Sequence, residues 1–598
     1  MSRRESLGVV AAVLLGTGAI ALLGPQSFPA LVIMLGAVNV IAVLGLNIPV
    51  GFTRVLSIGQ AGAFALGAYV SAITSVEYGW PWWLGVVLAI MIGFASGLLL
   101  GLAALRVTDL IGLAMMTLGF AVLVGDLAIG WNDLTRGFSG IAGVTAHWWF
   151  DGGGTLSQLH LGGVILVVTG LAYWFHAAFR RHRIGLSSMA VGQSEIGAVA
   201  IGIDATRLKM LSLGLANMLG AVGGALFVYV YAFVSPGSIS IWVSVTLLLM
   251  VILGGAGSRV GPVLGGFVLT ALPLYLSVEL HIEGLQPFLY GSLVVLMIRL
   301  LPDGLVSKVS LPSLGPEVGS ASEGTEDLHL EVLDADVPPS GTEDRTGPLL
   351  ELRGVAIRFG GVRALDGVDV TVDSGEVVGL VGANGSGKTT LLNLASGYYA
   401  PTEGEVIVSG HRLKRADARL AAQHGIGRTF QTPNTFGRLS VAEHLALGRQ
   451  HPPTGGSPAR QDFFADLGER ILARCCGPDV ADKDARSLSH GQLRFLEIAM
   501  AVSRAPHVLL LDEPAAGLSP AEIERLGEVV RAIAALDVGL VLVEHHLEFV
   551  RGLVDRVVVL DRGSVLWAGN PEELSQQADV QRVFLGGRRA TPAVETGP

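Results

Sequence analysis

Apolar runs of about 20 residues, separated by short polar clusters, fill the chain from about Leu7 to Leu301, whereas from Leu349 onward charged residues recur every few positions. A helix rises about 1.5 Å per residue, so a hydrocarbon core of roughly 30 Å takes about 20 apolar residues to cross. The first pattern therefore predicts a bundle of membrane-spanning helices. The windows 7–23, 31–50, 83–105, 161–179, 210–234, 241–253, 263–278 and 287–300 meet the length criterion. Windows 56–74 and 110–129 are weaker, because Gly and polar residues dilute them, as helices inside a bundle tolerate. Roughly eight to ten spans are expected on length.

The basic residues orient the bundle. Arg3 and Arg4 precede the first span, Arg180, Arg181 and Arg183 follow another, and Arg299 and Lys308 flank the last, which places these segments and the second half of the chain in the cytoplasm. No small-residue cleavage site closes residues 1–24, so a retained first helix is expected rather than a signal peptide. Trp80, Trp82 and Trp83 around Pro81 suit an interfacial aromatic belt or a packed loop. Asn39, Asn47, Asp126 and Asn217 fall inside apolar windows, where a polar group needs a partner or a function.

Periodicity disappears between Ser307 and Pro348, where Ser, Gly, Pro and acidic residues take over. This reads as an acidic flexible linker at 307–348, about 40 residues with an r.m.s. span near 35 Å. It separates a membrane domain at 1–306 from a soluble domain at 349–587, followed by a tail at 588–598. The whole chain is 51% hydrophobic and 15% charged, too apolar for a soluble enzyme of 598 residues. Two adjacent cysteines, Cys475 and Cys476, offer neither a disulfide framework nor a zinc cluster. The formal charge of -10 gives no support to nucleic-acid binding.

The candidate chemistry lies in the soluble half. A strand at 376–381 runs into Gly382-Ala383-Asn384-Gly385-Ser386-Gly387-Lys388 and then a helix opening with Thr389 and Thr390. Strand, glycine-rich loop and helix make a phosphate cradle: the loop amides and the helix N-terminus converge on phosphate oxygens. Lys388 reaches the β and γ phosphates of ATP and the Thr389 hydroxyl coordinates Mg2+. A second aliphatic strand ends in Asp512 and Glu513. Asp512 is placed to hold magnesium and Glu513 to polarise an attacking water.

Between them, Leu488-Ser-His-Gly-Gln492 resembles the signature of the ATP-binding cassette family, with His490 where glycine is commoner. That resemblance spans most of 349–586 and implies further roles. Gln431 looks like the glutamine that senses magnesium and couples to the membrane helices, and His545 like the switch histidine at the γ phosphate. Phe359 stands where an aromatic ring stacks on adenine. Ser489, Gly491 and Gln492 of one cassette face the nucleotide held by a second. Ser519 stands where many members carry Asp in the crossing loop. The resemblance implies a multi-domain fold, an N-terminal polytopic α-helical membrane domain followed by a C-terminal α/β P-loop NTPase.

The membrane half narrows the expectation. Gly45-Leu-Asn47, then Ser57, Gly59-Gln60, Gly62 and Gly67, Thr117-Leu-Gly-Phe120, Ser235-Pro236 and Gly261-Pro262 resemble, in order, the permeases of branched-chain amino acid importers. Within that pattern the segment from Glu195 to Gly202 resembles a coupling helix that seats in a cassette groove near Gln431. Gly59, Gly62 and Gly67 suit close helix packing, with Gln60 a candidate lining a substrate path. The resemblance implies half of an importer of branched-chain or other hydrophobic amino acids, with ATP hydrolysis driving a small-molecule substrate through a lipid bilayer. Implied partners are a second permease and a second cassette, both nonidentical, and an extracytoplasmic solute-binding protein in a bacterial plasma membrane. Urea or short amides remain alternative solutes, and a regulatory or assembly protein that binds ATP without turnover remains a different class.

Overall fold

The computed structural model describes residues 3–104, 110–149, 154–278, 291–292, 299, 305, 347–545, 547–577 and 580. Residues 307–346 of the linker expected at 307–348, most of the span at 287–300, His546 and the tail from 588 lie outside the described residues. The chain divides into two units, one of residues 1–193 and 205–314, the other of 194–204 and 315–598.

The first unit is helical: α1 (Arg3–Leu23), α2 (Phe28–Asn47), α3 (Gln60–Val76), α4 (Trp82–Ala104), α5 (Leu110–Gly130), α6 (Gln158–Arg181) and α7 (Arg183–Gln193). A short α8 (Glu195–Ala200) groups with the second unit, after which α9 (Ala205–Tyr231), α10 (Ile241–Gly254) and α11 (Gly261–Val278) complete the first. Six helices are long and apolar enough to cross a membrane, and α3, α10 and α11 are shorter apolar helices. Nine apolar helices thus occur among the described residues, including both windows diluted by Gly. Ser27 caps α2, with its hydroxyl accepting from Ala30 N at 3.4 Å, and Ser157 caps α6, whose last turn carries Arg180 and Arg181.

The window at 31–50 differs from expectation. The α-helix stops at Asn47 and a π-helical turn, Ile48–Thr53, carries the chain to Arg54 at φ 52°. Pro49 has no N–H to donate, and the Asn47 side chain is engaged elsewhere: it donates to Ser258 O at 3.2 Å, accepts from Gly257 N at 2.8 Å and meets His176 Nε2 at 2.9 Å. Other amides in the apolar windows donate likewise, although the buried Gln60 Oε1 has no hydrogen-bond partner. Asn39 donates to Thr270 at 2.9 Å, Asn217 to Ser96 at 3.3 Å, and Gln60 Nε2 to the carbonyls of Ala42 and Ala216. Asp126 is exposed.

Small residues let α9 pack on α2, α3 and α4. A Cβ at Gly67 would lie 1.8 Å from Ala221 O, and one at Gly224 1.8 Å from Phe64 O, so α3 and α9 touch through backbone. Added carbons at Gly59 and Gly62 would collide with Thr117 and Ala121 of α5.

The second unit continues with β1 (Leu350–Phe359), β2 (Val362–Val372), β3 (Val377–Gly382), α12 (Lys388–Ala395), β4 (Glu403–Val408), β5 (His411–Arg412), α13 (Ala418–Gln423), β6 (Ile426–Arg428), α14 (Val441–Gln450) and α15 (Pro458–Cys476). Then come α16 (His490–Val502), β7 (Val508–Asp512), α17 (Pro520–Ala534), β8 (Gly539–Val543), α18 (Leu547–Arg551), β9 (Arg556–Asp561) and β10 (Ser564–Gly569). One sheet has the order β10-β9-β3-β8-β7-β6, parallel except for β10, and an antiparallel sheet has the order β2-β1-β4-β5. Every residue of β3, β7 and β8 is buried, which is why these strands read as continuous aliphatic runs rather than alternating ones.

The segment 194–204 belongs to this unit because its main chain is bound there. Ser194 caps α8, Tyr398 Oη donates to Ile196 O at 2.7 Å, Arg504 Nη1 to Ala200 O at 3.3 Å, and Arg419 pairs with Asp204 at 2.5 Å. A Cβ at Gly197 would sit 3.2 Å from the Asn434 amide, three residues beyond Gln431.

Candidate functional site

Three neighbouring parallel strands deliver the site. β3, β8 and β7 lie side by side, so the residues that follow Gly382, Val543 and Asp512 emerge at one edge of the sheet. Ligand sites in open α/β sheets form at such carboxyl ends. After β3 comes the loop to α12, whose N-cap, Gly387, has φ 108° and no room for a side chain: a Cβ there would lie 2.7 Å from Leu365 Cδ2. Ala383, Asn384, Gly385 and Thr389 are exposed, Thr390 is half-buried, and the buried Ser386 hydroxyl has no hydrogen-bond partner.

Lys388 is buried, with its ammonium donating to Gly382 O at 2.8 Å and Ala383 O at 2.9 Å. It is folded back on its own loop. Burial lowers its pKa, and the charges of Glu513 and Asp512 oppose that shift. A cation is thereby presented to an exposed loop whose own carbonyls are its present acceptors.

Glu513 leaves β7 with φ 47°, a left-handed conformation that non-glycine residues seldom keep without surrounding support. The support is visible. Its N–H donates to Val543 O at 2.9 Å, His545 Nε2 donates to Oε1 at 2.7 Å, and Gln431 Nε2 donates to Oε2 at 2.9 Å. The expected trio Gln431, Glu513 and His545 therefore meets at one carboxylate. Asp512, one residue back, is buried, and burial raises its pKa against the opposing pull of Arg428.

Phe359 ends β1 with its ring 45% exposed, edge-on to Tyr399 at 5.1 Å. Ser489, Gly491 and Gln492 are elsewhere in the unit, at the start of α16, and among the described residues no hydrogen bond joins them to the loop at 382–389. There the Gln492 side chain accepts from Ser489 N at 3.0 Å while Ser489 Oγ accepts from Gln492 N at 3.2 Å, a closed capping box. Gly491 has no space for a Cβ, which would meet Glu522 Oε1 at 2.1 Å. His490 packs over Gly517 of the crossing loop, 3.2 Å from where a Cβ would stand.

Sequence reasoning missed the buried charges that hold this constellation. Arg494 donates to the carbonyls of Phe430 and Gln431 and pairs with Glu497 at 3.2 Å, and Glu497 accepts from the amides of Phe430 and Asn434 at 3.1 Å each. Burial pushes the Glu497 carboxyl up to about 7, with Arg494 and the two amides pulling the other way. Glu544 accepts from Ala515 N at 2.7 Å, fixing the chain beyond Glu513. A charged residue inside an aliphatic stretch, such as Arg494 and Glu497 near Phe495 and Leu496, is the signal that could have found them. Arg504, fully buried, faces four carbonyls and no carboxylate, and burial lowers it to about 10.

Comparisons with known proteins match both halves. The family model "Branched-chain amino acid transport system / permease component" matches residues 28–298, and that of the ABC transporter matches 365–516. The "High-affinity branched-chain amino acid transport ATP-binding protein LivG" of Salmonella typhimurium is 34% identical over 250 residues, 40% of this chain and 98% of that protein. "Ribose import ATP-binding protein RbsA 1" of Streptomyces avermitilis is 38% identical over 239 residues, 40% of this chain and 45% of that protein. A solved ATP-binding cassette in its ADP conformation is 28% identical with a TM-score of 0.36, covering 40% of this chain and 100% of that one. The chain belongs to the ATP-binding cassette transporter family, a permease component and the ATP-hydrolysing cassette that drives it joined in one polypeptide.

Proposed function

We propose that the chain is half of an importer in a bacterial plasma membrane, taking up branched-chain or other hydrophobic amino acids. The observation that carries this reading is the match of residues 28–298 to the branched-chain amino acid permease component, in the same polypeptide as an ATP-binding cassette. The ribose-import relatives match the cassette alone. A cassette handles nucleotide rather than solute, so they speak to the engine and not to the cargo.

The residues fit ATP. The amides of 382–388 and the Lys388 ammonium take the phosphates, and the exposed Phe359 ring offers a face to adenine. Glu513 accepts a proton from the attacking water, its two oxygens held by Gln431 and His545. The exposed side of His545 faces the terminal phosphate. The Thr389 hydroxyl, the Asp512 carboxylate and the Gln431 amide oxygen, whose nitrogen is already spent on Glu513, are hard oxygen donors suited to Mg2+. When bound, that ion neutralises charge on the transferred phosphoryl group. Because the Gln492 side chain is closed on Ser489, the backbone of 489–491 is what remains to offer a nucleotide held by a second cassette. The working unit then needs two cassettes and two permeases, with a nonidentical partner chain or pair and a solute-binding protein outside.

The test is Glu513→Gln in the purified transporter. ATP turnover should fall at least about a hundredfold while nucleotide affinity holds, and uptake into vesicles should vanish with it. Unchanged turnover defeats the assigned base. Labelled leucine, urea and ribose, each offered with the cognate binding protein, separate the solutes, and uptake of urea or ribose without leucine overturns the amino-acid reading.

A further inference from the structure

Arg428 stands at a junction inside the second unit. Its Nη2 lies 3.8 Å from Asp512 Oδ2, with both side chains nearly excluded from solvent. Its guanidinium carbon is 5.3 Å from the ring centroid of Tyr398 and 5.0 Å from that of Phe430, two rings that meet edge to face 6.2 Å apart. Nη1 donates to Ser396 Oγ at 2.5 Å, while Nε has no partner. The two rings lead in different directions. Phe430 precedes Gln431, whose amide holds Glu513. Tyr398 donates its hydroxyl to Ile196 O of α8 at 2.7 Å.

Because the two rings stand at 74° to each other, the planar cation cannot lie flat on both, so a shift of Arg428 presses on a ring or breaks a contact. Its position is then set by what pulls on its ends. At one end that is Asp512, the carboxylate read above as holding the metal of the nucleotide site. A divalent cation on Asp512 neutralises the charge that faces Arg428, and in so dry a setting that charge is poorly screened by water. The guanidinium is then released toward Ser396, and the Tyr398 ring packed on it shifts with it. The Tyr398 hydroxyl carries the shift to Ile196.

We propose that Arg428 and Tyr398 are positioning residues forming a relay from Asp512 to α8, by which metal–nucleotide occupancy at the sheet edge is read as a displacement of the 194–204 segment. The inference rests on the functional reading of Asp512. It adds a route beside the one through Gln431: Tyr398 packs edge-on to Phe430 at 6.2 Å, while its hydroxyl goes to Ile196.

Hydrogen–deuterium exchange on the purified full-length chain in lipid nanodiscs tests it, with a non-hydrolysable ATP analogue added in Mg2+ or in EDTA. In the wild type the peptide covering 382–390 gains protection, and the peptide covering 194–204 changes its exchange several-fold only when Mg2+ is present. Tyr398→Phe keeps the ring and removes the donor, so it should retain protection at 382–390 and lose the Mg2+-dependent change at 194–204. Arg428→Lys keeps the charge but not the plane, and should show the same loss. A wild-type response in both variants overturns the relay, as does a wild type whose 194–204 peptide ignores Mg2+ while 382–390 is protected. Absence of protection at 382–390 in the wild type instead removes the nucleotide site, and the relay with it.

Discussion

His444 shows how one buried side chain sets a pH limit on the cassette. Its Nε2 accepts from Phe436 N at 2.8 Å and its Nδ1 donates to Ser440 O at 2.7 Å, so only the neutral ring satisfies both. Burial lowers it to about 4 from 6.5, the hydrogen bond to Ser440 opposing. The folded state therefore binds fewer protons than the unfolded state between these values. The stability this contributes is fully present above about 6.5 and is lost as pH falls through about 4. At about 1.4 kcal/mol per unit the loss reaches roughly 3 kcal/mol. Thermal melts of the full chain should accordingly weaken from pH 6.5 toward 4.5, and His444→Gln should lower the melting temperature at pH 7.5 while flattening that slope. An unaltered slope in the variant would count against His444. The loop around Lys388 was legible from spacing alone, because glycine positions and a strand context are local. His444 was not legible, since nothing local distinguishes it from a solvent-facing histidine on α14.

Among elements, the contact of α3 with α9 shows what the glycines are for. Gly67 and Gly224 leave no room for even one carbon, since the obstacle in each case is a backbone carbonyl 1.8 Å away that has no alternative rotamer. Gly67→Val should separate the two helices at a cost of about 1–3 kcal/mol, read as a lower melting temperature in detergent. Gly119→Ala on α5, where an added carbon meets nothing within 4 Å, is the matched control and should melt like the wild type. Equal melting of Gly67→Val and the control would refute the close approach. The apolar windows located these helices to within a few residues. The stop of α2 at Asn47 escaped them, because it depends on Gly257 and Ser258, about two hundred residues away.

For the molecule as a whole, the separation of Ser489 and Gly491 from the loop at 382–389 has a kinetic consequence. If each nucleotide is closed in by the α16 backbone of a neighbour, hydrolysis depends on cassette pairing. Specific ATPase activity of the solubilised transporter should fall on dilution, and its dependence on ATP should be sigmoidal with a Hill coefficient above about 1. A rate per chain independent of concentration, with hyperbolic saturation, would mean that one cassette suffices.

The sequence by itself determined the division into an apolar helical half and a charged half, the glycine-rich loop between strand and helix, the acidic strand end and the family, because apolar run length, glycine spacing and aliphatic strands are short-range properties. Only the tertiary structure decided that Gln431 and His545 share the carboxylate of Glu513, that Arg494 and Glu497 fasten the loop 430–434 around Gln431, and that 194–204 is bound by Tyr398, Arg419 and Arg504. Apart from the Arg494–Glu497 pair, those contacts join residues from about 30 to about 300 positions apart, and where they are buried an unpaired charge is costly. Burial dictates that such a charge have a partner, and the packing of the sheet and its helices selects which one.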